Sequence, residues 1–506
     1  MSGTIGFDNE KYLAEQTAAI LRRAKENGGK LYLEFGGKLM QDLHAARVLP
    51  GYDPNVKLRL LQGLKDSAEI VLCIYAGDIE RKKMRADFGI SYESETMKLI
   101  DVLRKWQLEI GAVVITRFAG QYAAKLFRAR LERHGIKVYY HCVTQGYPTN
   151  VDTIVSDEGY GANEFVETNR PIVVVTGPGP GSGKLATCLS QLYHERKVGR
   201  MAGYAKFETF PVWNLPLSHP VNVAYEAATA DLKDSNMVDP YHLQAYDEIA
   251  INYNRDVEAF PLLRAIWKKM TDEVCPYQSP TDMGVNCIAS GIVDDAVVSA
   301  ASRQEVIRRY FRHLSEHRSG QVEHGTVERA DEIMLRLSLA PEDREVVRPA
   351  REAAHEAMLH GKGHSGIFCG AAIKLRDGRI VTGKNSEQLH AAASVVLNAI
   401  KTLAGIPEQI HLIAPEVVGH IVRMKQNILK GDYTSLNLDE ALIGLAVSCA
   451  TNPTAQVTIE HLIDLRDCEM HLTHIVTPGD EAGLRRLGIR ATSDPFFAAA
   501  ELFIDA

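Results

Sequence analysis

Pro171–Thr187, PIVVVTGPGPGSGKLAT, decides the fold class of this chain. A strand-length apolar run, Ile172 to Thr176, leads into a turn carrying Gly177, Gly179, Gly181 and Gly183, and then into Lys184 and Thr187. Leu185, Cys188, Leu189 and Leu192 follow at i, i+3, i+4, i+7, the stripe of a helix packed on one face. Strand, glycine turn and helix in that order predict a parallel sheet covered by helices. Backbone N–H groups of such a turn converge on an anion, and the first turn of the helix adds partial positive charge. Gly177, Gly179, Gly181, Gly183 and Lys184 are therefore expected to hold a phosphate, with Thr187 the nearest hydroxyl for phosphate or metal.

The turn is P-loop-like without matching the P-loop spelling G-x-x-x-x-G-K-[ST]. Pro178 stands five residues before Gly183, and Leu185 follows Lys184 where the magnesium-binding hydroxyl belongs. The expected ligand is a nucleotide, carried with magnesium, or another small phosphorylated molecule.

Outward from this segment, the first 224 residues alternate helix and strand. LYLEF, EIVLCIY, GAVVITRF, KVYYHCV and IVVVT read as strands separated by helices near 8–27, 95–107 and 121–134, which implies a mostly parallel sheet. Ligands bind such sheets at the carboxyl ends of the strands. Gly36, Gly37 and Lys38, then Asp78, Arg117, Thr144 and Gln145, fall at those ends, and Gly37, Lys38 and Arg117 join Lys184 as candidate phosphate contacts. Asp152 and Asp157, in the polar connection TNVDTIVSDEGYG, are weaker candidates for a metal or substrate.

With 506 residues the chain is too long for one core. Its composition is that of a globular protein, and a net charge of -7 gives no general attraction to nucleic acid or an acidic membrane. No apolar stretch approaches the roughly 18 residues of a membrane helix, and the eight cysteines include no C-x-x-C pair. A cytoplasmic protein with reduced thiols is expected, without nucleic-acid or membrane partners.

From 225 to 355 the pattern turns helical, as in a cap or a surface for homo-oligomer assembly. Within it, SPTDMGVNCIASG breaks the helices and offers Asp282 and Asn286 to the cleft. His313, Glu316 and His317 match H-x-x-E-H, a metallopeptidase pattern, yet Arg308, Arg309, Arg312 and Arg318 beside them oppose a dication. No metal ligand set is assigned. From 356 to 506 mixed structure returns: a hairpin around Asp377-Gly378 in a type I′ turn, a helix near 387–404, and the strands IHLIAP and MHLTHIV.

The hairpin followed by a helix resembles the opening of the cytidine-deaminase fold, but His390-Ala391-Ala392 puts alanine where the catalytic glutamate of that fold stands. No P-C-x-x-C follows, and His471 and His474, three apart on a strand, face opposite ways. More broadly, LEFGGKL, YPTNVDTIVSDEGYG, VVVTGPGPGSGKLATCLSQLYHE and SPTDMGVN resemble a family of roughly 500-residue bacterial proteins of unknown function. Some of its members carry an ATP-dependent peptidase label. The resemblance implies an α/β first domain (1–224), a helical middle (225–355) and a deaminase-like α/β subdomain (356–506). The function expected is binding of a nucleotide or phosphorylated metabolite, extending to phosphoryl transfer or hydrolysis; a non-catalytic binding or assembly protein and a metal-dependent peptidase are the alternatives.

Overall fold

Short, largely apolar strands are typically buried on both faces of a parallel sheet, and six of them build one here. The computed structural model describes residues 5–85, 89–431 and 434–498. After helix α1 (Asn9–Glu26) come β1 (Leu31–Phe35), β2 (Ala68–Tyr75), β3 (Ile110–Thr116), β4 (Val138–Tyr140), β5 (Ile172–Thr176) and β6 (Gly203–Phe207). They form a six-stranded sheet in the order β4-β3-β2-β5-β1-β6, with every pairing parallel. Every residue of β1 and β5 is buried.

Helix α2 (Tyr92–Lys105) connects β2 to β3, α3 (Tyr122–Arg133) connects β3 to β4, and α4 (Lys184–Lys197) leaves the glycine turn toward β6. From β1 the chain crosses to β2, β3 and β4 in one direction, whereas from β5 it passes over β1 to β6 in the other. β2 and β5 are neighbours whose outgoing connections diverge, which makes their carboxyl ends a topological switch point.

The chain divides into two compact units: residues up to Thr229 with Asp234–Ser302, and Ala230–Lys233 with the chain from Arg303 onward. The change to helical composition at 224/225 does not coincide with that division. Helix α5 (Asn254–Thr271) explains why, because Phe260, Leu263, Ile266 and Trp267 enter the same core as Tyr32, Val173 and Cys188. A helical stretch read as a separate middle domain thus supplies one wall of the sheet's core.

In the other unit, helix α6 (Val347–Leu359) precedes β7 (Gly370–Lys374), β8 (Ile380–Lys384), helix α7 (Ala391–Ala404), β9 (Glu469–Leu472) and β10 (Arg490–Ser493). The sheet order is β8-β7-β9-β10, antiparallel except for the β9–β10 pair. Strand alternation divides β7 between two cores: Ala371 and Ile373 pack with α7, and Ala372 packs with Ala350 of α6. The turn between β7 and β8 is longer than type I′, since only Gly378 has positive φ (+90°) and Leu375 N–H bonds the Arg379 carbonyl. IHLIAP forms no strand; Leu412 and Ile413 are buried in an irregular segment that feeds the same core. Among the described residues, no helix is long and apolar enough to cross a membrane.

Candidate functional site

The glycine turn sits at the switch point. Gly183 caps α4 with φ +90°, and a Cβ there would lie 2.8 Å from the Thr116 side chain at the end of β3. A left-handed conformation and that close approach both demand glycine. Gly181 also has positive φ (+71°), Gly177 lies against the Cys73 carbonyl, and Gly179 lies against the Tyr92 hydroxyl. Thr116 Oγ1 donates to the Ser182 carbonyl at 2.7 Å, and the Arg117 guanidinium, 3.6 Å from the Tyr75 ring centroid, donates to the Gly181 carbonyl. With these carbonyls tied back, the amides of Gly181, Ser182 and Gly183 donate to no acceptor among the described residues. The first-turn amides of α4 are unpaired by helix geometry. The hydroxyls of Thr176 and Ser182, each 1% exposed, have no partner among the described residues.

Lys184, at the first helical position, is half-buried, and its side chain makes no hydrogen bond or ion pair with the described residues. Thr187 follows three residues further along the helix. It is fully buried, and its hydroxyl accepts from the Cys73 thiol at 3.4 Å. Burial pushes that thiol up to about 12, so it packs as a neutral group.

Other candidates divide according to their partners. Gly37 has φ +67°, and under it lies Lys57, whose buried Nζ donates to the Lys38 carbonyl at 3.0 Å and pairs with Asp42 at 3.0 Å. Asp78 is buried and bonded by Arg81. Asp152 pairs with Lys269 at 2.8 Å, and Asp157 is held by Lys197 and the Tyr193 hydroxyl. Thr144 and Gln145 follow β4 at the far edge of the sheet, away from the switch point.

A cavity of about 560 Å³ opens beside β6. Its polar centre is Lys206, flanked by Asp256 at 2.5 Å, Glu208 at 3.3 Å and the Tyr253 hydroxyl at 2.9 Å. Tyr253 in turn donates to Glu208. These three charged side chains are only 12–19% exposed. Burial pushes the Glu208 carboxyl up to about 7; Lys206 opposes that rise, whereas Asp256 and Glu34 reinforce it. Asp282 and Asn286 do line this cavity. Asn286 accepts the Glu208 amide at 2.7 Å, and Asp282 accepts the Tyr246 hydroxyl at 2.9 Å. No residue of the glycine turn lines it.

Lys206, Glu208, Tyr253, Asp256 and Lys57 escaped the sequence reading. One signal was present: a charged residue inside a short apolar strand, Glu34 in LYLEF and Lys206 in GYAKF. These two face each other across β1 and β6 in register. Tyr253 and Asp256, about fifty residues further on, carry no local signal.

In the unit from Arg303 onward, His313 is buried, Arg312 bonds Glu316 at 2.6 Å, and His317 Nδ1 contacts the Val322 carbonyl at 3.2 Å. Among the described residues no group of three His, Cys, Asp or Glu side chains is placed to hold a metal. His390 Nδ1 bonds the buried Asp480 carboxylate at 2.7 Å, and Ala392 is fully buried. His471 is fully buried against the Phe311 ring.

A parallel α/β unit with a glycine turn at its switch point, joined to a smaller α/β unit, is the class these features define. The chain belongs to the family described as domain of unknown function DUF1846, whose N-terminal model matches residues 5–338 and whose C-terminal model matches residues 342–503. It is similar to UPF0371 proteins of Clostridium tetani (strain Massachusetts / E88), at 54% identity, and Clostridium botulinum (strain 657 / Type Ba4), at 55%, over 99% of both chains in each case. A UPF0371 protein of Clostridioides difficile (strain 630) is 53% identical over the same share.

Proposed function

We propose that the carboxyl edge of the parallel sheet binds a nucleotide or phosphorylated metabolite, with its phosphate in the Gly177–Lys184 turn. One observation carries this reading: at the switch point, unpaired amides of Gly181, Ser182 and Gly183 lie beside Lys184, a cation without a protein counter-ion among the described residues. An anion supplies what both lack. Arg117, bonded to the Gly181 carbonyl, keeps the turn open and adds positive charge to its rim. Gly37 and Lys38 form the neighbouring lip at the end of β1, over the buried Lys57.

Binding is favoured over phosphoryl transfer. Leu185 fills the place of the magnesium-binding hydroxyl, Thr187 is bonded to Cys73, and Asp78 is bonded to Arg81. In this reading the deaminase-like unit is a scaffold, since the fully buried Ala392 occupies the position of the proton carrier.

Titration calorimetry of the full chain with ATP, ribose 5-phosphate and inorganic phosphate tests the proposal. Lys184→Ala is expected to weaken the tightest of these ligands by about 1.5–3 kcal/mol, the worth of a hydrogen bond to a charged group. Equal affinity in the variant would remove the phosphate from this turn.

A further inference from the structure

The cavity beside β6 shares no lining residue with the glycine turn. Its volume of about 560 Å³ falls within the roughly 300–1,000 Å³ of small-molecule sites. Its charges nearly cancel: three cationic and four carboxylate side chains line it. That balance selects against a polyanion and favours a neutral polar ligand.

Hydrogen-bond supply narrows the class further. Lys206 donates to Asp256 and Tyr253 and pairs with Glu208 at 3.3 Å. Each carboxylate offers about four acceptor sites, so Glu208 and Asp256 keep unused acceptors at the cavity. A ligand rich in O–H groups satisfies them. Trp213 also lines the cavity, its ring 6.0 Å from that of His242 in an edge-to-face contact and its Nε1–H bonded to the Asn286 carbonyl at 3.1 Å. An apolar ring face next to convergent acceptors suits a molecule with one C–H face and a rim of hydroxyls.

We propose that this cavity is a second ligand site, taking a small neutral polyol such as a sugar ring, which stacks on Trp213 and donates hydroxyls to Glu208 and Asp256. Saturation-transfer NMR on the full chain, with D-glucose, D-ribose and myo-inositol as probes and putrescine as the cationic control, tests it. Transfer is expected to at least one polyol, with binding about tenfold weaker in Trp213→Ala. Glu208→Gln, which keeps the shape of the side chain, should weaken the same signal and guards against a folding defect in the tryptophan variant. Three results would each overturn the proposal: no transfer to any polyol, transfer undiminished in both variants, or transfer to putrescine alone. Loss of phosphate binding in Lys184→Ala with polyol binding intact would separate this site from the glycine turn.

Discussion

Gly183 concentrates two constraints on one Cα. Its left-handed φ of +90° costs an L-residue roughly 1–2 kcal/mol, and a Cβ would press on a Thr116 side chain already tied to the Ser182 carbonyl at 2.7 Å. Gly183→Ala is therefore expected to lower the melting temperature and to abolish phosphate binding together, as thermal melts with and without ligand would register. Glu208 makes a prediction of a different kind. Its folded value of about 7 lies above the ordinary 4.5, so between those pH values the folded state binds more protons than the unfolded chain. The stability this group contributes is full below pH 4.5 and lost as pH rises through 7. The groups facing it are Lys206, Asp256, Tyr253, Glu34 and Tyr225. Comparing chemical denaturation of the wild type and Glu208→Gln across that range should show the decline in the wild type and a flatter profile in the variant. A variant as pH-sensitive as the wild type would reassign the effect to another group.

Among the elements, α4 and α7 both begin without a side-chain cap, on residues of different kinds. Helix α4 starts on a glycine, which offers its first amides no side-chain acceptor. Helix α7 starts at His390, whose ring is bonded to a fully buried Asp480 carboxylate that also accepts the Thr477 hydroxyl and the Leu438 amide, each at 2.8 Å. Asp480→Ala leaves the Leu438 amide, the Thr477 hydroxyl and the His390 ring without their acceptor, at about 1–3 kcal/mol for a buried group so orphaned, and should be destabilising in urea denaturation. His390→Ala should lower stability while leaving phosphate affinity unchanged, because the residue lies in the other unit. A loss of phosphate affinity in His390→Ala would place the site in the wrong unit. Sequence periodicity revealed the helix there, but not the pairing of His390 with a residue ninety positions away.

Across the molecule, what was legible followed from local pattern. Runs such as IVVVT and LYLEF are strands because their residues bury on both faces, and the glycine turn declares itself by composition. Strand order was not legible: β5 lies between β1 and β2 through pairings more than a hundred residues apart along the chain. The polar centre around Lys206 escaped for the same reason, assembled from β6, the Asn236–Val238/Ile251–Tyr253 ribbon and the start of α5. IHLIAP misled because burial alone gives a segment the apolar look of a strand. Of the candidate phosphate contacts, Gly177, Gly179, Gly181, Gly183, Lys184 and Arg117 meet around one turn, while the buried Thr187 hydroxyl is bonded to the Cys73 thiol.

Diffraction from crystals grown with inorganic phosphate or AMP would show whether the Gly177–Lys184 turn holds a phosphate. An anion is expected within hydrogen-bond distance of the amides of Gly181, Ser182 and Gly183 and of Lys184 Nζ. An empty turn with phosphate bound elsewhere, or Lys184 drawn into an ion pair with a neighbouring carboxylate, would contradict it.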